Sequence, residues 1–106
     1  MRLLKDEELD LVNGTSFWQD TFEATINQIE EMLGEPTYFT NDGTDKVNVE
    51  WNAQTSSGLP FTIYDWKEYR PIGRTETIRW HVGGHSPLET DEALMEILEL
   101  LASIEG

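Results

Sequence analysis

Residues 61–86 read FTIYDWKEYRPIGRTETIRWHVGGHS, and the fold turns on how this stretch divides. Phe61 and Ile63, continued by Asp65, alternate with Thr62, Tyr64 and Trp66. Further on, Ile78, Trp80 and Val82 alternate with Thr77, Arg79 and His81. A period of two is the mark of a strand with one buried face, so two strands are predicted, over Phe61–Trp66 and Glu76–Val82. Lys67–Thr75, with Pro71 and Gly73, is a longer connection between them.

Outward from this pair the same reading continues. Lys46–Ala53 alternates Val47, Val49 and Trp51 with Asn48, Glu50 and Asn52, and Thr37–Thr40 is short and β-prone. Asn41-Asp42-Gly43-Thr44 has the Asp-Gly signature of a turn. Pro60 is tolerated where a strand begins. Before these strands, Trp18, Phe22, Ile26, Ile29 and Leu33 recur at helical spacing. Ser16 and Gln19 read as a capping box, and Gly34 with Pro36 as the stop. After the strands, Ser86, Pro87 and Glu89 open a second helix, with Thr90 as a rival start. Its predicted buried stripe is Leu94, Ile97, Leu98, Leu101 and Ile104, with Glu92, Glu96 and Glu99 facing water. Residues 1–14 are ambiguous between a short helix and an edge strand, and read as an arm packed on the core.

The expected fold is therefore α+β, one two-layer domain spanning 1–106. A four-stranded antiparallel sheet is flanked by an N-terminal and a C-terminal amphipathic helix, in the order α-β-β-β-β-α. The sheet face left uncovered would show Tyr64, Trp66, Arg79, His81, Asn48 and Glu50, open to solvent or paired with a second copy.

Charge separates that region from the rest. Residues 61–86 hold four basic and three acidic groups, whereas the other eighty residues hold three basic and eighteen acidic ones. A net charge of −14 repels nucleic-acid backbones and anionic membranes, so neither is an expected partner. Hydrophobic content of 38% is too high for a disordered acidic tail. The chain has no cysteine, which excludes disulfides and thiolate metal sites. No signal-peptide core or membrane-length apolar run appears, and a cytoplasmic location is expected.

Two groups of residues suit recognition of an anion. The junction His81-Val82-Gly83-Gly84-His85-Ser86 reads as a strand entering a glycine turn before a helix, where free N–H groups and a helix dipole favour negative charge. It lacks the lysine of a phosphate loop and the dinucleotide glycine pattern. A tight turn with a good cap is the bland alternative. Tyr64, Trp66 and Tyr69, interleaved with Lys67 and Arg70, suit stacking on a base with charge-assisted bonds to phosphate. The same types dominate protein interfaces, and pairing of the cations with neighbouring acids is equally open. His81 and His85 lack a third ligand and a nucleophile with an obvious base, so no metal, cofactor or catalytic residue is assigned. The acidic surface could imitate a polyanion, but its charges are dispersed over both helices.

The segments IYDWKEYR (63–70) and RWHVGGHS (79–86) resemble a pattern found in small uncharacterised proteins encoded by bacteriophages. That resemblance implies an accessory protein acting inside a bacterium, blocking a defence effector or sequestering a nucleotide signal. The expectation is a non-enzymatic homo-oligomeric protein that captures an anionic, nucleotide-like ligand. Tyr64, Trp66 and Tyr69 would stack, Lys67, Arg70, Arg74 and Arg79 would neutralise charge, and His81, Gly83, Gly84, His85 and Ser86 would line the site. An inhibitor that binds a host protein is the alternative, and a phosphodiester-cleaving enzyme the third.

Overall fold

The computed structural model describes residues 1–105. Its class is α+β as expected, but the antiparallel sheet has six strands and not four. In chain order these are β1 (Arg2–Leu3), β2 (Ser16–Ala24), β3 (Tyr38–Phe39), β4 (Val49–Gln54), β5 (Pro60–Tyr64) and β6 (Ile78–Gly84). The helices are α1 (Ile26–Leu33) and α2 (Pro87–Glu105), with a 3-10 helix over Asp6–Val12. β4, β5 and β6 form a meander, β2 lies antiparallel outside β6, and β1 and β3 share the outer edge of β4. That edge is thereby covered along most of its length, which removes a template for unwanted strand pairing.

The largest departure from expectation is at residues 16–24, a strand where helical spacing predicts a helix. Phe22 and Ala24 also alternate with Thr21 and Glu23, and the short segment satisfies both periods. Tertiary pairing decides: Phe22 and Ala24 face the core opposite Trp80 and Ile78. The Trp80 indole N–H donates to the Ala24 carbonyl over 2.9 Å. Between Phe17 and Thr21 the register shifts, and Gln19 takes a positive φ of 81°, so the strand bulges there. The helix starts one motif later. Thr25 accepts from the Gln28 N–H at 3.1 Å, and the Gln28 amide oxygen accepts from the Thr25 N–H at 2.8 Å, a capping box displaced from Ser16–Gln19. Gly34 closes the helix as expected, at φ 98°.

The second helix begins at Pro87, with Ser86 Oγ accepting from the Glu89 N–H, so Thr90 is not its start. Its buried stripe is Thr90, Ala93, Ile97 and Leu101, whereas Leu98 lies exposed with Leu88 and Met95. Glu96 does not simply face water: it accepts from the Met1 amine at 2.9 Å and from the Ser56 N–H at 3.0 Å. Both helices cover one sheet face, over a core of Trp51, Trp80, Phe61, Ile63, Val49 and Val82. Trp51 and Trp80 meet edge to face at 5.3 Å, a contact that adds about 1 kcal/mol to their burial. No helix among the described residues is long and apolar enough to cross a membrane.

The opposite sheet face meets the chain's own N-terminal arm. Residues 9–16 of the arm pass over it, leaving a cleft between arm and sheet.

The two capping assignments separate cleanly by mutation. Thr25→Ala lowers stability by about 1 kcal/mol in urea unfolding, while Ser16→Ala changes it by less than about 0.5 kcal/mol.

Candidate functional site

The cleft has a volume of about 540 Å³, within the range of small-molecule sites. Its floor is the polar face of the sheet: Glu50 and Asn52 from β4, Thr62 and Tyr64 from β5, and Gly83 from β6. Tyr38, Val47 and Trp66 form the walls, and Leu9 to Ser16 the roof. Gly83 is required for room, because a Cβ there would lie 2.5 Å from Thr62 Oγ1 and 3.4 Å from the Tyr64 ring. Any side chain at that position would fill the floor.

One wall is set by a buried carboxylate. Asp65 has no exposed surface; its Oδ1 accepts from the N–H groups of Asn48 and Val49 at 2.8 and 2.9 Å. Its Oδ2 accepts from the Asn48 amide at 3.0 Å, and that amide also donates to the Arg70 carbonyl at 3.0 Å. Asn48, expected on the uncovered face, is therefore turned inward, and Val47 takes its place against the cleft. The Lys67 N–H donates to the Lys46 carbonyl at 2.8 Å, tying the two loops again. Lys67 and Tyr69 both hold positive φ, 57° and 51°. That conformation costs a non-glycine residue about 1 kcal/mol and persists only where neighbours impose it.

The result is a row of rings across the open face. Phe17 stacks on His81 at 4.3 Å, His81 lies 5.5 Å from Tyr64, and Tyr64 meets Trp66 edge-on at 6.2 Å. Trp66 is 40% exposed. Lys46 and Lys67 bring their Nζ atoms within 5.9 and 5.6 Å of its ring centre. Neither lysine forms an ion pair among the described residues.

Titration follows from burial. The Glu50 carboxyl is pushed above its ordinary value by burial, opposed by a hydrogen bond from the Asn52 side chain and reinforced by the charge of Asp65. The Tyr64 hydroxyl is raised by burial and then by the charge of Glu50. His81 is lowered by burial and then by Arg79, so at neutral pH it offers an uncharged ring. Asn52 Oδ1 is buried and has no hydrogen-bond partner.

Of the residues expected to form the site, Tyr64, Trp66 and Gly83 line the cleft, and Lys67 and His81 adjoin it. Tyr69 and Arg79 lie exposed outside its lining. Arg70 is held by Glu76 and, at 3.3 Å, by Glu68; Arg74 is paired with Glu30 and lies over Phe39. Gly83 and Gly84 do not form a turn. They continue β6, opposite Phe17 and Ser16 of β2. The His85 N–H donates to Glu89 at 2.8 Å, and Ser86 caps α2, so the helix start is occupied by the chain's own groups. The His85 ring donates from Nε2 to the Leu11 carbonyl at 2.8 Å and fastens the arm.

Lys46, Glu50, Asn52 and Thr62 were not among the expected site residues. Alternation in 46–53 already put Glu50 and Asn52 on one face, but nothing local indicated that the arm would close over them. Comparison of the chain with protein-family models, curated proteins and solved structures finds no match. The cleft itself is therefore the feature that bears on function.

A carboxyl raised by burial gives folding a pH dependence of known sign. The folded state holds the Glu50 proton more tightly than the unfolded chain does, so its contribution is fully present at low pH and is lost as pH rises through the folded value. Glu50→Gln is accordingly expected to raise the thermal midpoint at pH 7 and to leave it nearly unchanged at pH 4, measured by calorimetry at both.

Proposed function

We propose that this is a binding protein that holds a nucleotide-like molecule intact, with its heterocycle inside the cleft and its anionic group at the mouth. The observation that carries this reading is the polarity of the site from inside to outside. The lining holds Glu50 and Asp10 and no lysine or arginine, so a phosphate does not belong there. At the wall, Lys46 and Lys67 converge on exposed Trp66. A flat ring can stack on Trp66 or Tyr38 while a phosphate reaches the two ammonium groups. Cations distant from the cleft, Arg70 and Arg74, are already neutralised by carboxylates and take no part.

Retention without turnover fits the same residues. Among the described residues, no hydroxyl or carboxylate of the cleft is hydrogen-bonded to His81 or His85, whereas covalent catalysis joins nucleophile and base directly. In the setting implied by the phage-like segments, such a protein would act in the host cytoplasm by removing a nucleotide signal. A second reading, inhibition of a basic host protein, is favoured by Leu88, Met95 and Leu98, exposed on a helix that also carries Glu92 and Glu99.

Native mass spectrometry of freshly purified protein tests the proposal and counts subunits in the same spectrum, checking the expected homo-oligomer. An intact bound nucleotide is expected, and Lys46→Ala with Lys67→Ala weakens its calorimetric affinity about tenfold. Bare protein that binds no nucleotide at physiological salt would overturn it in favour of the second reading.

A further inference from the structure

The floor of the cleft says more about the ligand than its mouth does. Glu50 and Asn52 lie two residues apart on β4, so their side chains share the face turned toward the arm. Asn52 lies beside Glu50 on this face, and its Oδ1 is a hydrogen-bond acceptor. That oxygen is buried without a partner on a residue only 2% exposed. A buried acceptor left unmatched costs about 1–3 kcal/mol, and native structures keep few of them. The Glu50 carboxylate is a second acceptor on the same floor. Next to them, Thr62 and Tyr64 carry hydroxyls, which either donate or accept. The floor thus sets two acceptors, Glu50 and Asn52 Oδ1, beside hydroxyls that can serve either way.

Resting on the nucleotide reading above, we infer that the cleft selects a heterocycle whose buried edge donates twice, an exocyclic amino group beside a ring N–H, as guanine presents. A guanine edge matches Glu50 and Asn52 Oδ1 together. Hypoxanthine keeps the ring N–H and lacks the amino group, leaving one acceptor unmatched. Adenine turns a ring acceptor toward the floor and sets it against the Glu50 carboxylate. A site built to hydrogen-bond a polar group discriminates strongly against analogues that lack it, because its own buried groups are stranded.

The test is a calorimetric panel of GMP, IMP, AMP and UMP at one salt concentration, on the wild-type chain and on Glu50→Gln. The wild type is expected to bind GMP at least tenfold more tightly than IMP, and more tightly still than AMP or UMP. Glu50→Gln is expected to keep its fold and to lose most of the preference for GMP over IMP. Equal binding of GMP and IMP, or tighter binding of AMP, would overturn the inference while leaving the nucleotide reading in place. Binding of none of the four would overturn both.

Discussion

At the end of β5 a carboxylate with no exposed surface gathers two backbone N–H groups and a side-chain amide from Asn48 and Val49, where the loop enters β4. Each bond to an ionised acceptor is worth about 1.5–3 kcal/mol, and each would become a penalty if Asp65 were lost. The ties spread from there. Asn48 Oδ1 accepts from the Gly43 N–H at 2.9 Å, and Asn41 exchanges two hydrogen bonds with the backbone of Ile72. Gly43 lies so close to Arg70 that a Cβ would come within 2.7 Å of its Cα. Two irregular loops, 40–48 and 65–72, are locked into one body. That body carries Lys46, Val47, Trp66 and Lys67, so one buried acid sets the wall of the cleft.

Several features of the cleft and of the loop beside it oppose stability. Glu50 is desolvated, Asn52 Oδ1 is unmatched, and Lys67 and Tyr69 hold left-handed backbone. A sequence selected for stability alone would replace all four. Glu50 and Asn52 lie on the floor of one concavity and Lys67 beside its wall, over a core that otherwise follows ordinary packing, an arrangement consistent with the proposed binding site. With −14 overall, long-range attraction cannot concentrate an anion. In the proposed function, capture would fall to short-range contacts at the two lysines, inside a screening length of roughly 8 Å.

Much of the sheet was legible in the sequence, because alternation in 60–64 and 78–82 admits one buried face. The strand at 16–24 was not, since Trp18, Phe22 and Ile26 satisfy a helical period and only pairing with β6 chooses between the two. The Thr25–Gln28 box has the same spacing as Ser16–Gln19, and only the strand pairing of residues 16–24 leaves it as the cap. Gly83-Gly84 reads locally as a turn. Its actual role is to leave space, for Thr62 and Tyr64 on one face and for Thr90 on the other, contacts no local pattern encodes. Asp65 followed the strand alternation inward, yet the sequence could not show that Asn48 would be its partner. The roof of the site depends on an arm whose apolar residues fit either a helix or a strand.

The account depends on Asp65 holding the loop before β4 as firmly as the sheet itself. Amide hydrogen exchange of the native protein measures this directly. The N–H groups of Asn48 and Val49 should exchange as slowly as those of Ile63 and Val82, through global unfolding alone. Exchange of Asn48 and Val49 at the rate of exposed loop amides would show that the carboxylate does not hold them, and the cleft would lose the wall on which its recognition is argued.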